Sequence, residues 1–561
     1  MTRAGHAAVV VAAMAAVAMV VRIDAQSPST ALGASASTPL GAGGDGLRQT
    51  AYIKASNPHM GDHFGNGGTL LGDSVALSGN ALTLAVGAPN ESSGAKGVNG
   101  DQNDTSVYSA GAVYVYTRPN VGGTWTQQAY IKASNPQVGA EFGHVVSLSA
   151  DGNTMAVSAY FEASAAKGIN GNQNDDSIPQ AGAVYVFTRR GTAWSQQAYI
   201  KASNTGEAGT EGNFGDGDQF GFSVSLSDDG NTLAVGANAE DSNAKGINGD
   251  QNDNSMQSAG AAYVFVRSGT TWTQQAYVKA PNTTANVQFG YSVALSADGN
   301  TFAVSAFDEG GVSRVVVNGP NGPFPPGRNG TGAIYVYTRS GTTWGLQAYL
   351  KASNAEGGDS LGVMVSISDD GNTVASGILD EDCLATGVNP SNACDNDQRS
   401  DTSTGAVAVF IRNGTQWAQQ AFIKASNTGK EDWFGSRLQI SGDGNTLAVA
   451  AQLEDSAAQG LDGKQDDDSA QEAGAVYFFT RTGTVWSQKH YVKSSNDEAF
   501  DEFGSSVALS RDGRTMAVGA RGEDGSAKGI NGNQADNSTK EAGAVYVFAY
   551  NPTSSTQRGT K

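Results

Sequence analysis

The sequence reads as an all-β protein in which one four-strand unit is written seven times, and three features carry that reading. A core of the form A-G-A-x-Y-V-F returns with its glycine at Gly111, Gly182, Gly260, Gly332, Gly405, Gly474 and Gly543. A second core, Y-I-K-A-S-N, returns with its aromatic at Tyr52, Tyr130, Tyr199, Tyr277, Tyr349, Phe422 and Tyr491. Apolar and polar residues alternate with period two through both cores, and no segment presents a helical face. A chain with 74 Gly and only 14 Pro suits short strands joined by tight turns. Four antiparallel strands repeated seven times describe a seven-bladed β-propeller, one body rather than the several domains that 561 residues would otherwise suggest.

The unit is clearest in the third copy. Strand A runs from Phe220 to Ser227, with Val224 and Leu226 alternating with serines. The turn Asp229-Gly230-Asn231 has hairpin chemistry and leads into strand B, Thr232 to Ala237. A long polar B–C loop, 238–258, precedes strand C, Ala259 to Arg267. A Ser-Gly-Thr turn then leads to strand D, Trp272 to Ala280. Small and β-branched residues dominate A and B, as expected of strands crowded near an axis, and the large residues lie in C and D. The Tyr-x-Lys of strand D and the arginines ending strand C (Arg189, Arg267, Arg339) are explained by cross-strand packing and Arg stacking.

The chain ends predict a closed ring. The last copy stops after strand C, Ala542 to Phe548, while an orphan strand D, Gln49 to Ser56, precedes the first copy. Pairing the two closes the ring, with an N-terminal strand completing the last blade and removing both edges. The orphan strand lacks the tryptophan that opens strand D elsewhere (Trp125, Trp194, Trp272, Trp344, Trp417, Trp486). Two copies depart from the common B–C loop. The fourth has a Pro- and Gly-rich stretch within 308–331, and the fifth carries both cysteines within 380–404.

The remaining chain divides into a signal peptide at residues 1–25, a flexible Ser/Ala/Gly-rich linker at 26–47, the propeller at 48–549 and a tail at 550–561. The apolar run Ala7 to Val21 is too short for a comfortable membrane span. A secreted, extracellular monomer, in solution or held at a cell surface, is therefore expected. In an oxidising compartment Cys383 and Cys394 are expected to pair as a structural disulfide. The formal net charge of −20 is spread over all copies and argues against nucleic acid or an anionic membrane as partner.

Phe64-Gly65 followed by Gly87-Ala88-Pro89 is the pairing for which the FG-GAP repeat is named. Phe-Gly recurs at 142, 220, 289, 434 and 503, and the fifth copy has Leu361-Gly362. The chain resembles the seven-bladed propeller of integrin α subunits, and more closely the secreted FG-GAP repeat proteins. The resemblance spans 48–549. It implies adhesion or ligand binding on one face, with calcium held in A–B hairpins. Those hairpins are shortened here to S-x-D-G-N-T (Ser149 to Thr154, Ser296 to Thr301), too few oxygens for calcium, so these sites are not carried over.

The B–C loops are the other candidate for a cofactor, and calcium is the one they would suit. G-V-N-G-D-Q-N-D-T-S at 97–106 and its counterparts alternate oxygen side chains, which points to Asp101, Asp104, Asp175, Asp250, Asp253, Asp467 and Asp536 as ligands. The same residues are equally the vocabulary of self-hydrogen-bonding turns, and Lys464 and Ala535 break the alternation. No convergent catalytic cluster is visible. The histidines are scattered, and repeated acids such as Glu240-Asp241 and Glu454-Asp455 read as solvated scaffold. The chain is thus expected not to be an enzyme but a module binding a protein or glycan ligand. The face carrying the B–C and D–A loops is expected to do so, with the loops 308–331 and 380–404 as the specific contact. A propeller-type glycoside hydrolase or lyase, or a purely structural extracellular component, are the alternatives.

Overall fold

The computed structural model describes residues 46–66, 72–206, 217–311, 313–325, 327, 329–390, 394 and 402–552. The expected signal peptide, nearly all of the linker and most of the tail lie outside them. Seven antiparallel sheets follow one another: 75–131, 146–200, 223–278, 289–350, 361–423, 434–492 and, last, 503–551 joined by Gly46–Ile53. Each is a blade with strands in the order A-B-C-D, as in Ser223–Leu226, Thr232–Ala237, Ala261–Ser268 and Thr271–Val278. The orphan strand pairs antiparallel with Ala544–Asn551, Tyr52 opposite Tyr546, and completes blade 7. The fold is the expected all-β seven-bladed propeller, its ring closed by the N-terminal strand.

Blades join through side chains that the repeat places on both flanks of each sheet. Every strand pair C–D contains a bulge, between Val264 and Phe265 in blade 3, which leaves one strand D residue without a cross-strand partner. That residue is Gln275, and the bulge turns it toward the next blade. Its Oε1 accepts bonds from Arg339 Nη1 at 3.2 Å and Trp344 Nε1 at 2.8 Å. Arg339 lies over the Trp344 ring at 5.2 Å, and the same stack recurs in six blades. At the seam of the ring, Lys489 and Thr50 hold the bulged positions. Thr50 is too short for the task, and the Trp125 Nε1 of blade 1 has no hydrogen-bond partner. Leu47 replaces the missing tryptophan opposite Tyr550.

The glycine of A-G-A is set by the neighbouring blade. Gly260 has φ +75°, and a Cβ there would stand 2.1 Å from Phe289 O. Its amide strand bridges Phe289 in parallel, so the Phe-Gly of one copy needs the Gly-Ala of the copy before. Around the axis, serines cover the exposed edge of several A strands. Ser147 Oγ accepts from Leu226 N at 3.1 Å, and Ser225 Oγ from Leu295 N at 3.1 Å.

Candidate functional site

The face bearing the B–C and D–A loops is built on a polar network that repeats at each blade junction. In six blades the strand D lysine meets the glutamate that opens the B–C loop, as Lys132 meets Glu91 at 2.6 Å and Lys201 meets Glu162 at 2.8 Å. Both partners are buried. The strand D tyrosine donates to the same carboxylate, Tyr277 Oη to Glu240 Oε1 at 2.7 Å. The asparagine of the preceding D–A loop bridges the blades: Asn204 Nδ2 donates to Glu240 Oε1 at 2.9 Å and its Oδ1 accepts from Tyr263 Oη at 2.6 Å. Burial pushes Lys132, Lys201 and Lys279 down, against the pull of their glutamates. This corrects two sequence readings. Glu240 and Glu454 are buried ion-pair partners rather than solvated scaffold, and the Tyr-x-Lys pair serves this network in addition to strand packing. The signal was present in the sequence, since a glutamate follows strand B in every copy: 91, 162, 240, 309, 381, 454 and 523.

The proposed calcium ligands lie on five different blades, and six of the seven carboxylates accept from amides of their own loop. Asp104 accepts from Ser106 Oγ at 3.0 Å and from Gly94 N and Ser106 N, both at 2.9 Å, and these bonds, the hydroxyl's first, hold its carboxyl below the usual range. Asp175 does the same with Ala165 N at 3.0 Å and Ser177 N at 3.1 Å. Asp101, Asp250, Asp253 and Asp536 each accept from the amide two residues on. Asp467 receives Ala457 N at its backbone oxygen, 3.1 Å. Asp151 in the A–B hairpin likewise caps its own turn, accepting from Ser149 Oγ at 2.7 Å and Asn153 N at 2.9 Å. Among the described residues one trio of metal-type ligands converges, Glu381, Cys383 and Cys394, and its two sulfurs form the expected disulfide.

The axis differs at its two ends. On the loop face it is filled from blades 2–6 by the residues flanking Phe-Gly and following strand B. His144 lies 4.0 Å from Tyr160, Phe222 lies 4.9 Å from Tyr291, and Tyr291 stacks on Phe307 at 4.5 Å. Val363, Leu379 and Trp433 extend this apolar layer. Blades 6 and 7 add ion pairs of Arg437 with Asp73, at 3.7 Å, and of Arg521 with Glu502. Below is a channel of about 210 Å³ lined by the A strands. At the A–B face Arg511 reaches across it to both Asp228 and Asp369. Backbone bonds link successive A–B turns there, Ala150 N to Asp228 O at 2.9 Å and Asp228 N to Ala297 O at 3.0 Å.

Blades 4 and 5 break the pattern on the loop face. In six blades the B–C loop returns to bridge strand D, as Val98 does with Ile131. Blade 4 instead adds a two-residue strand, Val317–Asn318, beside Tyr349 and Ala348. Asn318 also exchanges two bonds with the Trp417 backbone of blade 5, at 2.7 and 3.1 Å. Blade 5 carries the disulfide, and Ala408 and Phe422 stand where other blades have tyrosines.

The chain matches the FG-GAP repeat family at residues 125–187 and 486–548. Both matches run from the strand D tryptophan position of one blade into strand C of the next. No curated protein matches the sequence. Solved structures of similar shape include a candidate 6-phosphogluconolactonase from Bacteroides uniformis, 10% identical, covering 75% of this chain and 85% of that one, TM-score 0.40. The periplasmic gluconolactonase PpgL of Pseudomonas aeruginosa is 14% identical, covering 78% and 95%, TM-score 0.39. The WD40 repeats of RRP9 are 8% identical, covering 89% and 99%, TM-score 0.42. The expectation that the chain is not an enzyme is corrected by these matches: lactonases stand among the propellers it resembles, so its enzyme status is open. Scores this low assign no activity either, and the finer likeness to integrin α subunits is not specifically supported. Among the described residues no helix is long and apolar enough to cross a membrane.

Proposed function

Starting from a chain that is an FG-GAP repeat propeller, we propose that it is an exported binding module for a protein or glycan partner, contacted through the face of the B–C and D–A loops. One observation carries the reading. The blades share one junction network and one B–C loop design, and the departures from both concentrate on adjacent blades of that face. A surface kept only for stability has no reason to vary at one sector, whereas recognition needs a place unlike the rest. The Val317–Asn318 strand and its bonds to Trp417 tie the variant loop of blade 4 to strand D of blade 5.

Exchange of 308–331 and 380–404 for the common loop 238–258 tests the reading. The exchanged chain should keep its melting temperature within a few degrees and lose capture of the partner from the producer's surroundings. Capture that survives the exchange places recognition elsewhere on the molecule.

A further inference from the structure

One main-chain bond recurs along the crest of the loop face, and at one junction it holds a bulky residue in the left-handed region. At six junctions an amide of the D–A loop donates to a carbonyl in the B–C loop of the blade it leaves. Gly61 N donates to Lys540 O at 3.0 Å, Gly139 N to Tyr108 O at 2.9 Å and Phe500 N to Gln471 O at 2.8 Å. The donor has positive φ each time: +76° at Gly61, +71° at Gly139, +60° at Asn286, +104° at Gly358, +65° at Glu431 and +69° at Phe500. Glycine and asparagine adopt this conformation readily, whereas an aromatic is strained by it. Phe500 gains little burial in exchange, since it is 53% exposed. Strain of this kind is kept where the side chain serves a contact.

Phe500 has company at the same bond. Met60 directly precedes Gly61, Val138 directly precedes Gly139, and Tyr108 is the acceptor for Gly139; all three are 72–76% exposed. Of the eight large apolar side chains exposed among the described residues, four therefore stand at this one bond. They occupy three successive junctions, between blades 6 and 7, 7 and 1, and 1 and 2. At the junctions from blade 3 to blade 6 the bonded pairs are Asn286 with Gln257, Gly358 with Asn329, and Glu431 with Thr402. A solitary exposed apolar side chain is ordinary, but four at equivalent places on one face are not.

We propose that this arc docks a segment of another protein that presents apolar side chains between lysines or arginines, a contact separate from the variant loops of blades 4 and 5. Aromatic and Met side chains at a crest are the anchors such a segment would bury. The charge beside them is negative. Glu498 is exposed in the Phe500 loop, and Glu541, 63% exposed, follows the carbonyl that binds Gly61 N. Lys540 is held by Asp524, so it leaves no free cation for an acidic partner. A basic segment complements this surface. A second copy of the chain, at a net charge of −20, does not.

Fluorescence anisotropy of short labelled peptides with the full chain, at physiological ionic strength, tests the assignment. A peptide of alternating leucine and lysine should bind. Peptides alternating leucine with glutamate, or serine with lysine, should bind at least about tenfold more weakly. Phe500→Asn suits the backbone at φ +69°, and should weaken the first peptide by about tenfold or more without lowering the melting temperature. Met60→Ser combined with Val138→Ser removes apolar surface at the other two junctions, should weaken it likewise, and keeps the test valid if the change at Phe500 disturbs its loop. Exchange of 308–331 and 380–404 should leave this binding unchanged, so this assignment and the one above fail separately. Equal binding of the three peptides, binding unchanged in both variants, or binding lost on the loop exchange overturns it. Self-association of the native chain in sedimentation that Phe500→Asn abolishes would put a second copy on the arc and overturn it as well.

Discussion

Lys201 Nζ and Glu162 Oε2 meet at 2.8 Å with both side chains excluded from solvent. The same carboxylate accepts Asn135 Nδ2 from the blade before at 2.9 Å and Tyr199 Oη at 2.8 Å. A buried charge pair is retained without cost only when its remaining lone pairs are filled in this way. Here the filling groups come from two blades, so the pair doubles as a junction between them.

Removal of one partner should therefore cost more than removal of both charges. Lys201→Met strands the Glu162 carboxylate and is expected to destabilise the chain by about 3–5 kcal/mol. Adding Glu162→Gln keeps the bonds to Asn135 and Tyr199 while deleting the charge, and should recover part of the loss. Chemical denaturation of the single and double variants checks this. Equal losses in both would mean the charge is not desolvated as described.

The junctions also carry pH dependence. Asp432, in the D–A loop before blade 6, is pushed up to about 8 by burial and by the neighbouring Glu454 carboxylate. The folded chain then binds this proton more tightly than the unfolded one. Its contribution to stability is full below the ordinary carboxyl range near 4 and is lost as pH rises through about 8. Asp432→Asn keeps the acceptor for Gly429 N, 2.7 Å in the native chain, without the charge. The melting temperature of this variant, relative to native, should rise between about pH 5 and pH 8 and level off above that. A difference that does not change with pH would contradict the assignment.

Ring closure has its own test. The strand Gly46–Ile53 pairs with Ala544–Asn551 along its whole length, and Asn57 beyond it supplies the blade 7 to blade 1 bridge to Tyr114 at 2.5 Å. Deleting 48–57 should broaden the unfolding transition and lower its midpoint, since blade 7 loses its outer strand and the ring its closing junction. A melt indistinguishable from native would show that the orphan strand does not close the ring.

Much of this architecture was legible in the sequence because it is periodic. Seven Tyr-x-Lys segments, the Asp-Gly-Asn turns and the unmatched strand at Gln49 fix blade number, strand order and closure. The Arg–Trp stacks followed from residues adjacent across one hairpin. The Lys–Glu–Asn–Tyr network was harder to see because its asparagine comes from the copy before, and Lys201 and Glu162 are separated by a whole loop and two strands. The Arg511 bridge to Asp228 and Asp369 was not legible at all. Its three residues occupy one equivalent position in the S-x-D-G turn, and only the ring brings blades 3, 5 and 7 together. The blade 4 to blade 5 junction at Asn354 shows the limit from the other side. Ala408 is unremarkable in the sequence until the tyrosine it replaces is known to hold a buried asparagine.

Hydrogen-exchange mass spectrometry of the native chain, free and with its captured partner, tests the functional proposal most directly. Protection on binding is expected in 313–325, 380–390 and around Ser353–Asn354. Protection confined to the A–B hairpins of the opposite face, such as 151–153 and 229–231, would contradict it.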